Sequence, residues 1–149
     1  MLTANKSFVL GYTAEEFGIC RDLPVIVFDD FTTASKYVDS SFKVKSSAIK
    51  LLRPRHAQID LRFVFERMQL IQFAVGDHKR HYISEFQNFE CAVPKDHAEQ
   101  RAIAAILADL DAAIAALEGK RDKLELIKEG MMQQLLTGQI RFVERAEAA

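Results

Sequence analysis

Two different periodicities run along this chain, and they change over near Pro94. Before that point the apolar positions form short runs or alternate. The run over 23–28, Leu-Pro-Val-Ile-Val-Phe, lies between Arg21-Asp22 and Asp29-Asp30 and predicts a buried strand. Pro24 stands at its start, where no ladder donor is lost. Partial alternation over 36–44 (Tyr37, Val38, Phe42, Val44) predicts a second strand, and 48–52 a third. Over 60–73, Leu61, Val64, Phe65, Met68, Leu70 and Ile71 recur at helical spacing, and Asp60 is placed to cap that helix. Gly76-Asp77 marks a turn, and rough alternation over 81–93 predicts a final strand or strand pair.

Beyond Pro94 the pattern is a heptad. Ile103, Leu110, Leu117, Leu124 and Met131 fall seven apart, with Leu107, Ile114 and Leu135 beside them and Ile106 and Ile127 adjoining. Asp96, followed three residues later by Glu99, resembles a capping box, and Thr137-Gly138 is a stop with glycine at the position after the cap. One helix over 96–136 is therefore predicted, a rod of roughly 60 Å. The register weakens at Lys120 and Arg121, beside Gly119, which reads as a bend or a polar layer. A stripe this long requires a second helix to cover it, or else the helix folds back on its own domain. The expected fold is α+β: a mixed or mostly-β head over 1–93, one long helix over 94–142 that pairs as an antiparallel coiled coil, and a short tail over 143–149.

Composition supports the division. Ten of the 11 phenylalanines and all three tyrosines precede Pro94, and the remainder is rich in Ala, Leu, Ile, Glu and Lys. The net charge is −1 over 149 residues, which excludes a basic coat over the whole chain. No apolar run approaches a membrane span, and the start lacks a secretory apolar core, so a cytoplasmic protein is expected. Cys20 and Cys91 are read as core fillers. The six glycines are scattered, with no phosphate-cradling loop, so no cofactor is expected and neither S-adenosylmethionine nor ATP has a cradle. Metal-ligand spacings are absent. Asp29-Asp30 fit either a nuclease-like metal pair or a turn before Phe31-Thr32-Thr33; adjacent strand residues face opposite ways, which favours the turn.

Charge is unevenly spread. Residues 36–56 hold Lys36, Lys43, Lys45, Lys50, Arg53 and Arg55 against one acid, Asp39, and carry Tyr37, Ser46 and Ser47 between them. A second basic segment is His78-Lys79-Arg80-His81-Tyr82. Such runs are either a solvated face or a nucleic-acid contact, since Lys and Arg neutralise phosphates while Ser, Tyr and His reach bases or sugars. The candidate DNA-binding residues are Lys36, Tyr37, Lys43, Lys45, Ser46, Ser47, Lys79, Arg80, His81 and Tyr82. The candidate dimerisation residues are Ile103, Leu107, Leu110, Ile114, Leu117, Leu124, Ile127 and Met131.

The tail carries Pro94, then Glu99-Gln100 ahead of an Ile/Ala helix, and closes on Gln134-Leu-Leu-Thr-Gly-Gln-Ile-Arg141. These motifs resemble the helical region of the specificity subunits of type I restriction–modification systems. The stretches 25–33, 36–39 and 42–47 of the head are similar to the second half of their target recognition domains. The resemblance implies a non-catalytic subunit that reads double-stranded DNA. It implies two recognition domains, each on half of a bipartite site, held apart by two long antiparallel helices. It also implies that methyltransferase (M) subunits dock on the helices and, through them, the restriction (R) subunit; the Ala104, Ala105, Ala108, Ala112, Ala115 and Ala116 ridge offers them close approach. Family members carry two head–helix units and this sequence carries one, so a homodimer of half-subunits with shortened heads is expected. The alternative is an assembly module that binds methyltransferase but has lost DNA readout; a metal nuclease using Asp29 and Asp30 is a third reading.

Overall fold

The computed structural model describes residues 1–3, 8–71, 82 and 85–142. The chain divides into two units, Met1–Leu107 and Ala108–Ala149.

The first unit is built around one strand. β1 (Ile19–Cys20) precedes β2 (Val25–Asp29), which is central in an antiparallel sheet between β3 (Ser35–Val38) and β5 (Ile49–Leu52). In register, Val27 lies opposite Lys36 on one side and Leu51 on the other. Val25, Ile26, Val27 and Phe28 are fully buried because both faces of the strand are covered. Val25 and Val27 join Leu2, Phe8, Val38, Phe42 and Ile49 in one cluster. Ile26 borders a cavity of about 160 Å³ with Leu61, Val64 and Met68 of α1 (Leu61–Gln69). Phe28 meets the rings of Phe86 at 4.5 Å and Tyr82 at 5.5 Å. A strand covered on both faces reads as an unbroken apolar run, which is the pattern over 23–28. Burial of each such side chain contributes roughly 1.5–3 kcal/mol.

Three expectations need correction. The strand expected over 36–44 is two: β3 ends at Val38, and β4 (Phe42–Lys43) pairs with β1 in a separate two-stranded sheet. The exposed polar triplet Asp39-Ser40-Ser41 separates them. The strand expected over 81–93 is not found among its described residues, which hold one 3-10 turn, Phe86–Asn88. Here the backbone serves other ends: the Tyr82 N–H donates to Asp30 Oδ1 at 2.8 Å, and Phe86 is buried against Phe28. Cys91 is exposed in the irregular stretch after that turn, so only Cys20, packed beside the core, acts as a filler.

The helix ends follow the sequence. Asp60 Oδ1 accepts from Phe63 N at 2.8 Å and caps α1, which closes at Leu70 rather than running on. Asp96 Oδ1 accepts from Ala98 N at 2.8 Å at the start of α2 (His97–Leu136). Gly138 takes φ +73°, its N–H reaching Leu135 O at 3.2 Å, and Ile140 N reaches Gln134 O at 3.0 Å. That left-handed residue satisfies carbonyls that the last turn leaves open. α2 runs unbroken through Gly119, Lys120 and Arg121. Among the described residues no helix is long and apolar enough to cross a membrane.

Candidate nucleic-acid interface

The basic segment 36–56 begins on β3, runs through β4 and ends past β5. Lys36 is exposed, and it borders an open cleft of about 290 Å³ with Tyr37, Asp39, Ser40 and Tyr12, a residue that is 99% exposed. Tyr37 is half-buried, its ring 6.0 Å from Phe65 and capped by the Arg62 guanidinium at 5.0 Å. Burial pushes its phenol above the ordinary range. Lys45 and Ser47 are exposed in the turn before β5. Ser46 Oγ accepts from Ala48 N at 3.2 Å, so it shapes that turn.

Internal acids take up half of the segment's cations. Lys43 forms an ion pair with Glu15, whose carboxyl is held below its usual range first by that hydrogen bond and then by the charges of Lys43 and Lys45. Lys50 Nζ lies 3.8 Å from Asp30 Oδ2, and Arg53 Nε lies 3.2 Å from Asp22 Oδ2. Lys79, Arg80 and His81 lie outside the described residues. Tyr82, the last of the second basic segment, is tied to the first: its N–H and the Lys50 ammonium face the two oxygens of one buried carboxylate, Asp30.

The Asp29-Asp30 pair serves structure. Asp29 accepts from Phe31 N at 3.0 Å and Thr32 Oγ1 at 2.8 Å and shapes the turn from β2 to β3, with Thr33 at φ +57°. No group of three or more potential metal-ligating side chains occurs among the described residues.

The sequence names Gln100 only as part of a motif and does not show what it does. Its side chain is buried in the first unit, where Nε2 donates to Pro94 O at 2.8 Å and Gln58 O at 3.1 Å, and Oε1 accepts from Asp60 N at 2.8 Å. One amide thus joins the first turn of α2 to the cap of α1. The signal was its spacing: Gln100, Ala104 and Leu107 share one helix face, and a polar residue on an inward face must find partners. Ala104 is buried as well, which removes it from the ridge expected to face a docking partner.

Along α2 the heptad positions differ by unit. Ile103 and Leu107 are half-buried in the first. In the second, Leu110, Ile114, Leu117, Leu124, Ile127 and Met131 are 47–67% exposed in the single chain.

Comparison with known proteins bears out the resemblance read from the motifs: the chain is similar to a specificity subunit of a type I restriction enzyme. That relative is the Type I restriction enzyme EcoR124I/EcoR124II specificity subunit of Escherichia coli, 38% identical over 162 aligned positions that take in 94% of this chain. The chain spans 40% of that relative's length. No family model matches the sequence, and no solved structure matches it.

Proposed function

We propose that the chain is a specificity component of a type I restriction–modification assembly. The first unit binds double-stranded DNA. α2 pairs with a second copy and docks the methyltransferase subunits, and through them the restriction subunit, in the cytoplasm. The chain itself cuts and methylates nothing. The observation that carries this reading is the 38% identity to a specificity subunit over nearly the whole chain. The cleft bordered by Lys36 and Tyr12 adds a cation for phosphate and an exposed tyrosine for a sugar or phosphate contact. Two-fold pairing through α2 would present two such heads to a bipartite site.

A second reading, an assembly module without DNA readout, draws support from the pairing of Lys43, Lys50 and Arg53 with internal acids. A mobility-shift series against salt separates the two. The proposal predicts affinity that falls with salt. Each phosphate contact removed by Ala at Lys36, Lys45, Lys79 or Arg80 should lower the slope by about 1. Equal affinity and slope in the quadruple variant would place the DNA site elsewhere, and no binding by the parent chain would favour the assembly module.

A further inference from the structure

The outward stripe of α2 carries two notches, each framed by side chains at i, i+3, i+4 and i+7. Leu117, Lys120, Arg121 and Leu124 frame one of about 360 Å³. Leu124, Ile127, Lys128 and Met131 frame the next, of about 340 Å³. Four-residue holes of this kind receive one knob each from a facing helix. Both hold a cation at i+4, Arg121 and Lys128, in line with the apolar stripe; in the single chain Arg121 pairs with Asp122 at 2.7 Å and lies 3.9 Å from Glu125, exposed pairs that can exchange partners across a seam. Two leucines of the same stripe, Leu110 and Leu117, are each followed directly by an acid, Asp111 and Glu118.

We infer that a second copy's helix lies antiparallel on α2 in one register, centred on Gly119. In it the partner's Leu117 and Leu110 seat in the two notches, and Arg121 and Lys128 meet the partner's Glu118 and Asp111. This rests on the reading that α2 pairs with a second copy in the antiparallel sense the family resemblance implies, and it adds the register and the ion pairs that fix it. The arithmetic of the stripe carries it. About Gly119, Leu117 faces Arg121, Ile114 faces Leu124, Leu110 faces Lys128, Leu107 faces Met131 and Ile103 faces Leu135. Every apolar layer is used, and both notch cations find an acid one residue beyond the knob. A parallel pair would stack Arg121 on Arg121 and Lys128 on Lys128, like charges at the centre of the seam. Sliding the antiparallel pair one heptad toward the amino end sets Lys128 beside the partner's Ala104. Sliding it the other way keeps two ion pairs, Arg121 with Glu125 and Lys128 with Glu118, but drops two layers from the seam and leaves Leu107 and Ile103, which their own unit covers only in part, without a facing helical side chain. Charge pairing beside the seam selects register and orientation more than it adds affinity.

Charge reversals at exposed helix positions test this in the full chain. In this register, Glu118→Arg alone sets the introduced guanidinium against the partner's Arg121. Arg121→Glu alone sets the introduced carboxylate against the partner's Glu118. Each variant should dimerise about tenfold more weakly than the parent in sedimentation equilibrium, and an equimolar mixture should restore parental association as a heterodimer. A spin label on Gln134→Cys, with Cys20 and Cys91 replaced by Ala, gives the register by distance. Fifteen residues on either side of the centre put the two labels about 45 Å apart. A value about 10 Å shorter or longer, one under about 20 Å, or single variants that associate like the parent would overturn the register while leaving the dimer. A parent chain that is monomeric at tens of micromolar would overturn the pairing itself.

Discussion

Gln100 shows how one amide can set the joint between a helix and the domain it leaves. It satisfies Asp60 N, Gln58 O and Pro94 O together, and all three lose their partner if the side chain is shortened. Gln100→Ala should therefore lower stability by about 2–3 kcal/mol, read as a shift of the urea midpoint at unchanged slope. Gln100→Glu keeps the acceptor but turns a carboxylate on two carbonyls, so it should destabilise too. Glu15 and Lys43 make a different kind of pair, exposed and open to exchange. The lowered carboxyl of Glu15 contributes its small share of stability above the ordinary carboxylate range and loses it as pH falls through the lowered value. Lys43→Ala should return the Glu15 titration, followed by NMR, to its ordinary range. DNA that draws Lys43 away should move it in the same direction, whereas a titration unmoved by saturating DNA would mean that the pair stays closed.

At the level of elements, what the sequence made legible was whatever is set locally. Asp60, Asp96 and Gly138 mark helix ends because a cap needs only a side chain and a few neighbouring amides. The buried β2 is legible because its run is short, apolar and bounded by charge. The described residues of 81–93 were not, because two of their aromatic positions answer to a distant partner: Tyr82 and Phe86 both reach one ring, Phe28. The division of 36–44 into two strands depends on which neighbours pair, and a period of two does not contain that information. The basic segment was legible as composition only; which of its cations answer to Glu15, Asp30 or Asp22 is a property of the fold. On α2, Gly119 and Gly130 have nothing within 4 Å of where a Cβ would stand. In the isolated chain each replacement by Ala should stabilise the helix by about 1 kcal/mol, seen as a higher melting temperature. Both glycines lie away from the heptad stripe, so self-association should be unchanged; weaker capture of methyltransferase by either variant would place the docked subunit on that face. Asp at both Leu110 and Leu117 should give monomers or aggregates, and an unchanged dimer would mean that the stripe is not the seam.

The whole molecule joins two kinds of order. The first unit is a small α+β body held by β2, and the second continues a helix whose apolar stripe is exposed in the single chain. The tail motifs from Pro94 to Arg141 carried the family resemblance because they lie within one continuous helix and its stop. The residues proposed to contact DNA are drawn from β3, β4 and the turn before β5, with Lys79, Arg80 and His81 outside the described set, so their membership was the least legible part. If the chain supplies specificity to a methyltransferase, its most direct product is a pattern of modified bases. Genome-wide mapping of methylated sites in the host, with the gene deleted and then restored, reads that pattern. The account predicts one sequence motif that loses methylation on deletion and regains it on complementation, and loses it again when the restored copy carries Asp at Leu110 and Leu117. A methylation map identical in all four strains would contradict it.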